Sequence, residues 1–148
     1  MNATPEAGEL ERFRPGIYGI LIQHRQVLLV RAPQNFLGVV GFPGGGIELG
    51  ESPLDALRRE FAEETGLEVE PVRVLWATTR LHRARLRPAQ QLIAIHWEVR
   101  QVGGTFRPHG NGDDVEAAFF CPLHALPLNE MLGVDHEVVP LLMGLTSG

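Results

Sequence analysis

Three glutamates, Glu60, Glu63 and Glu64, crowd into one short stretch that reads as helix. At about 100° per residue, Glu60 faces Glu63 at i+3 and Glu64 at i+4. Each like-charge pair costs roughly 0.2–0.5 kcal/mol. The acids also lie toward the C-terminal, negative end of the helix dipole, where each carboxylate is disfavoured by a further ~0.3–1 kcal/mol. Arg59 can relieve Glu63 at i+4, but one arginine does not neutralise three acids. A bound divalent cation would offset the cost. Hard carboxylate oxygens select Mg²⁺, Mn²⁺ or Ca²⁺ over zinc. A solvated acidic face with surface ion pairs is the alternative reading of the same charges.

The helix carrying these acids has well-marked ends. Ser52 is a favoured N-cap, Pro53 stands at N1 where its missing N–H costs nothing, and Asp55 makes an approximate capping box. Gly66 follows as a C′ residue. The pattern predicts a helix over Ser52–Thr65. Leu54, Leu57 and Phe61 share the face that belongs in the core. Just upstream, Pro43-Gly44-Gly45-Gly46 predicts a break in regular structure that lets the backbone approach a ligand closely. It is not a P-loop, because no Gly-Lys-Ser/Thr follows.

Around this centre the chain alternates short elements. Ile17–Gln23 and Gln26–Val30 read as a hairpin turning at His24-Arg25, and Leu37–Phe42 as a further apolar run. Val72–Leu81 and Gln91–Gln101 read as strands. Gly103–Gly112 reads as a loop, Val115–Phe120 as a short strand, and His136–Leu145 as a closing helix containing Pro140. The fold class is α/β with strands dominant. Residues 1–14 are expected to be a flexible segment and 15–148 a single domain, as 148 residues suit one core.

Composition narrows the function. There are 13 Lys+Arg against 18 Asp+Glu, so the net charge of −5 argues against a duplex DNA or RNA partner. Hydrophobic residues at 44% argue against disorder. Cys121 is the only cysteine, which excludes an intramolecular disulfide and any multi-cysteine metal site and fits a reducing compartment. No run reaches the ~18 apolar residues of a membrane helix, and the N-terminal residues, with Glu6, Glu9 and Glu11, lack the apolar centre of a signal peptide. A cytoplasmic protein is expected, with oligomeric state open and a homodimer among the options.

Written out, Gly45-x5-Glu51-x7-Arg59-Glu60-Phe61-x-Glu63-Glu64-x-Gly66-Leu67 resembles a complete Nudix box, and Phe42-Pro43-Gly44 resembles the family's usual entry to it. The resemblance to Nudix hydrolases implies an α/β/α sandwich around a mixed sheet. It implies hydrolysis of a phosphoanhydride bond in a nucleoside diphosphate linked to another group, such as a nucleoside triphosphate, with Mg²⁺ or Mn²⁺ as cofactor. ADP-sugars and dinucleotides are the alternative substrates, and a non-catalytic nucleotide-binding module is the alternative role. Carried over, Glu60, Glu63 and Glu64 match metal ligands, as does the main-chain carbonyl of Gly44. Glu60 matches a residue that activates water, oriented by Arg59, and Glu51 a supporting residue. Glu63 joins Glu60 and Arg59 in the catalytic set. An extra acid distant in sequence is matched best by Asp114. Val40 and Phe120 stand where many relatives carry tryptophan. The proline marking an ADP-ribose-specific subclass is absent, its region holding Leu81 to Arg83, and no other subclass signature is visible.

One basic run remains: Arg80, His82, Arg83, Arg85 and Arg87. As one strand it would put Arg83, Arg85 and Arg87 on one face and Ala84 and Leu86 on the other. Arg80 and Arg83 are the first candidates for phosphate contact, since guanidinium suits bidentate phosphate binding. Charge on an exposed sheet edge is the alternative. Tyr18, Phe36 and Phe42 are candidates for stacking a base, or core residues. Asp135 is a candidate for reading a base edge, with N-capping favoured. His96, Trp97 and Cys121 are expected to be structural.

Overall fold

The structure, a computed structural model, describes residues 8–84 and 87–145. Nine strands and two helices are defined among them: β1 (Arg12–Ile20), β2 (Ile22–Gln23), β3 (Gln26–Arg31), β4 (Val40–Gly41), β5 (Gly44–Gly46), α1 (Pro53–Thr65), β6 (Leu67–Ala77), β7 (Arg83–Ala84), β8 (Arg87–Gly104), β9 (Ala117–Pro122) and α2 (Gly133–Leu142). The strands form two sheets. One runs β5-β1-β8-β6, with β7 also paired to β8; the other runs β2-β3-β4, with β9 also paired to β3. The β1–β8 pair is parallel and the other strand pairs antiparallel, so the mixed sheet that the resemblance implies is present.

The hydrophobic period of β3 explains how the layers assemble. Leu28 and Val30 enter a cluster with Ala56, Leu57 and Phe61 of α1. Val27 and Leu29, on the opposite face, enter a second cluster with Val138 and Leu142 of α2. A strand apolar on both faces must be covered on both faces. The two helices therefore lie on opposite sides of the strands, as a sandwich requires.

Helix α1 begins and ends where its signals predict. Ser52 Oγ accepts the Asp55 N–H at 3.1 Å, and Gly66, at φ +82°, closes the helix by donating its N–H to Ala62 O at 2.9 Å. Gly66 is required there twice over, since a Cβ would also stand 2.0 Å from Thr105 O. The helix seats on β1 through Gly19, whose missing side chain admits the Phe61 ring.

Several expectations are corrected. Gly44–Gly46 does not break regular structure: it is strand β5, paired to Gly16–Tyr18 of β1. Three glycines can lie flat against a neighbour's backbone, and the ladder compensates for their poor strand propensity. Arg12–Arg14 belongs to β1, paired with Gln90–Leu92 of β8, and residues 1–7 of the segment expected to be flexible lie outside the described residues. The basic run is not one strand. Ala84 of β7 pairs with Arg87 of β8 in antiparallel register, so the run is divided between two strands. Arg85 and Leu86 lie outside the described residues. Strand β6 begins at Leu67, directly after α1, five residues ahead of the expected start; β8 reaches Gly104; and α2 begins at Gly133 with Pro140 inside it.

Because Phe61 fills the space above Gly19, where a Cβ would stand 2.7 Å from its ring, Gly19→Ala is expected to destabilise the fold by about 1–3 kcal/mol. Denaturant unfolding monitored by circular dichroism measures this.

Candidate active site

The acids sit on the face of α1 turned toward β5 and the loop before β9. Glu64 is 4% exposed, and its Oε1 accepts the Gly44 N–H at 3.0 Å. Gly45 packs directly on Glu60: a Cβ there would stand 2.9 Å from the Glu60 carboxyl carbon. The glycine strand thus brings backbone, not side chains, against the acids. A positive φ of +150° at Gly44, where a Cβ would meet Ile17 O at 2.1 Å, makes glycine obligatory at that step.

Arg59 gathers most of the remaining charge. Its Nε and Nη2 donate to the two Glu51 carboxylate oxygens at 2.6 and 2.9 Å, a bidentate pair. Its Nη1 donates to Glu60 at 3.2 Å and to both Glu63 oxygens at 3.3 Å. The Arg59 hydrogen bonds, with the Glu48 N–H, hold the Glu51 carboxyl down at about 2, and those same bonds raise Arg59 further above its ordinary value. Arg107 closes the helix end: its Nη2 donates to Glu63 O and to Ala62 O, both at 2.7 Å, the latter also accepting the Gly66 N–H.

Glu64 is the most perturbed acid. Burial pushes it well above the usual carboxylate range, opposed by the Gly44 N–H and reinforced by the charges of Glu60 and Asp114. Burial also raises Glu60. The Glu60 and Glu64 carboxyls lie close enough on this face for each to act on the other's charge.

Glu60, Glu63 and Glu64 line a polar cavity of about 380 Å³ with Arg107, Asn111, Asp113 and Asp114. The loop bearing Asp114 is shaped by Asn111, whose Oδ1 accepts the N–H groups of Asp113 and Val115 and whose Nδ2 donates to Asp114 Oδ1 at 2.7 Å. Glu64 and Asp114 also line a second cavity of about 210 Å³, mostly apolar, walled by Tyr18, Val40, Phe42, Leu92, Val134 and Asp135 among others. The two cavities therefore share a wall of two acids.

A divalent cation fits this donor chemistry: hard oxygens, buried and mutually repelling. Among the described residues, no three Asp, Glu, His or Cys side chains converge tightly enough to enclose an ion by themselves. Mg²⁺ does not demand that, since it commonly takes one or two carboxylates and completes its shell with water and substrate phosphate.

Of the sequence candidates, Glu60, Glu63, Glu64, Gly44, Arg59, Glu51 and Asp114 come together here. Arg80 and Arg83 line neither cavity. Arg80 is exposed in the turn before β7, and Arg83 Nη2 donates to Gly8 O at 2.8 Å. Phe36 lies away from both cavities, whereas Tyr18 and Phe42 line the apolar one. Asp135 is not a helix cap: the N-cap of α2 is Leu132, which frees the Asp135 carboxyl to face the cavity. Burial pushes the Tyr18 hydroxyl up to about 12, with the Asp135 charge adding to it. Sequence reasoning missed Arg107, whose role depends on a fold-back from β8, and Arg14, whose guanidinium lies 3.5 Å from where a Gly46 Cβ would be.

Clustered acids on a capped helix thus lie between a glycine strand and an adjoining apolar cavity. The family model for the NUDIX domain matches residues 12–142, and the chain belongs to that family of hydrolases. It is 33% identical over 122 residues to the ADP-ribose pyrophosphatase of Methanocaldococcus jannaschii, covering 82% of this chain and 67% of that protein. It is 41% identical over 88 residues to the RNA pyrophosphohydrolase of Thioalkalivibrio sulfidiphilus, covering 60% of this chain and 49% of that one. The chain thus spans about half the length of that second relative. A solved NUDIX hydrolase from Nitrosomonas europaea superposes with a TM-score of 0.75 at 18% identity, covering 89% of each chain, which shows a shared fold.

The raised Glu64 value has a consequence for stability. A carboxyl whose folded value exceeds its unfolded one holds a proton that the unfolded chain has released. Stability without metal is then fully present below the unfolded value near 4.5 and is lost as pH rises through the raised folded value. In chelating buffer, Glu64→Gln, which keeps the acceptor for Gly44, is expected to flatten this dependence. It is expected to raise Tm at neutral pH by roughly 2–5 °C. Scanning calorimetry from about pH 5 to about pH 8 checks both, and a lower Tm for the variant at neutral pH contradicts the assignment.

Proposed function

We propose that the chain hydrolyses a phosphoanhydride bond in a nucleoside diphosphate linked to a second group, using Mg²⁺ or Mn²⁺. The observation that carries this reading is the wall of Glu64 and Asp114 shared by the polar and apolar cavities. A nucleotide has the same division: an apolar flat base at one end and a polyanion that needs cations at the other. Tyr18 and Phe42 suit the base, and the acid cluster suits the cations that accompany the phosphates.

Glu60, Glu63 and Glu64, with the Gly44 main chain, are the residues that would hold the metal. When bound, the cation supplies neutralisation of phosphate charge and a lowered pKa for water. The chain's own residues do the rest. Glu60, raised by burial and set against Gly45, is placed to take a proton from the attacking water. Arg59 fixes the Glu60 and Glu63 rotamers while Glu51 anchors Arg59 from the far side. Asp114 adds a further oxygen from the facing loop. Arg80 and Arg83 are assigned to the distal part of the substrate, because their segment joins β8 through the Leu92 N–H to His82 O at 2.8 Å, and Leu92 lines the apolar cavity.

The names of the relatives support substrates of the ADP-ribose kind, where the second group is a sugar phosphate. A second reading, the triphosphate end of an RNA strand, is favoured by the β7–β8 hairpin, which carries Arg83 and Arg87 on its paired strands. A nucleotide substrate and a single cysteine fit action in the cytoplasm.

A panel of nucleoside triphosphates, ADP-ribose, a dinucleotide and a 5′-triphosphorylated oligonucleotide, each with Mg²⁺ and with Mn²⁺, tests the proposal. Release of a phosphorylated product that falls at least about 10²-fold in Glu60→Gln is expected. Wild-type protein inert on every member overturns it.

Gly45→Ala provides an independent check on the glycine strand. Its methyl would displace the Glu60 carboxyl, so kcat is expected to fall about tenfold or more while KM moves little. Steady-state kinetics on the best substrate of the panel measures the split.

A further inference from the structure

His96 stands in the middle of β8, opposite Tyr18 of β1 and Trp76 of β6, and is 0% exposed. Three rings enclose it: Tyr18 stacked at 5.1 Å, Phe42 edge-on at 5.7 Å and Trp76 edge-on at 6.0 Å. Neither ring nitrogen has a hydrogen-bond partner. An apolar ring would fill this place without leaving polar atoms unsatisfied, so packing alone does not explain the imidazole. What it faces does. Nε2 lies 3.5 Å from Asp135 Oδ1, too long for a good hydrogen bond and one small shift from making one.

Asp135 is 6% exposed and belongs to the first turn of α2. Its other oxygen, Oδ2, lies 3.2 Å from where a Cβ on Gly41 would be, and both residues line the apolar cavity. The carboxyl is therefore set between an imidazole on one side and the cavity on the other.

We propose that His96 is a positioning residue for base recognition: from behind, it orients the Asp135 carboxyl so that its free oxygen accepts N–H donors from a nucleobase in the apolar cavity. This rests on the nucleotide reading above and narrows it. An acceptor-only carboxylate favours a base edge with an amino group beside a ring N–H, as guanine presents, over uracil, whose corresponding edge alternates acceptors with one N–H. Substrate contact brings Asp135 onto His96, because a carboxyl oxygen loaded on one side is best held by a donor on the other. Tyr18 and Phe42 keep the imidazole from turning away.

The test compares His96→Leu, which removes both nitrogens, with His96→Gln, whose amide can reproduce the Nε2 donor. Guanine and uracil versions of one substrate, chosen from the panel, are used on the full chain. In His96→Leu, KM for the guanine substrate is expected to rise about tenfold with kcat within about twofold, and the guanine-to-uracil preference to collapse. His96→Gln is expected to recover most of both. Wild-type nitrogen-15 spectra of the His96 ring provide a readout that needs no variant of His96: a guanine nucleotide is expected to shift the Nε2 signal, and Asp135→Asn to abolish that shift. Turnover with unchanged base preference in His96→Leu, or equal effects of Leu and Gln, overturns the inference and leaves the hydrolase reading intact. A ring signal indifferent to nucleotide and to Asp135→Asn overturns it even if the variants fold poorly. A wild type inert on the whole panel overturns the hydrolase reading first, and this inference with it.

Discussion

Negative charge confined to the inner face of α1 is the constraint around which the site is arranged. Glu60 and Glu64 are buried side by side, so keeping both ionised without a cation is costly. Each neighbouring element answers that charge with a different donor. Strand β5 contributes the Gly44 N–H, the residue before Glu60 contributes a guanidinium, and the segment after β8 contributes Arg107 at the helix end. None of these donors neutralises Glu64 completely, and that residual charge is what a cation can use. Complete pairing within the protein would stabilise the fold and close the site.

The same constraint explains why glycines and not charged side chains border the acids. A lysine or arginine on β5 would satisfy Glu60 and Glu64 permanently. A backbone that is only N–H groups and carbonyls leaves room beside the carboxylates, and the φ of Gly44 and the contact at Gly45 leave no space for a Cβ. The strand is held by pairing with β1, so the approach is rigid. Rigid placement matters because the proposed reaction requires a water, a proton acceptor and a phosphorus in line.

How far the sequence could be read depended on the range of the interactions involved. Helix α1 was legible to the residue, because its cap, its proline and its closing glycine act within a turn. The acidic cluster was legible for the same reason, since i+3 and i+4 neighbours meet whatever the tertiary fold. Strand β5 was not, because three glycines read locally as a break and become a strand only through β1. The division of the basic run between β7 and β8 was hidden as well, since alternation of arginine with small and apolar residues is equally the pattern of one straight strand. Asp135 reads as a cap from its place before an apolar run, but the helix starts at Gly133 with Leu132 as its cap, and the Asp135 carboxyl lines the cavity.

His96 shows the limit most plainly. Along the sequence it is one polar residue in an apolar strand, and a structural role is the natural reading. What sets it apart is a combination that only three dimensions supply: full burial, no hydrogen-bond partner and a carboxylate 3.5 Å away on a different element. An unsatisfied buried polar group costs about 1–3 kcal/mol, so a fold that could use leucine there gains nothing from the imidazole. Glu64, which lines the same apolar cavity as Asp135, is likewise buried and held well above the usual carboxylate range. In both places a buried carboxyl lines the apolar cavity: Glu64, which accepts the Gly44 N–H, and Asp135, 3.5 Å from an imidazole whose nitrogens have no hydrogen-bond partner. Stability withheld at a cavity wall is then a physical marker of the ligand, because only a group arriving from outside can complete the missing interactions.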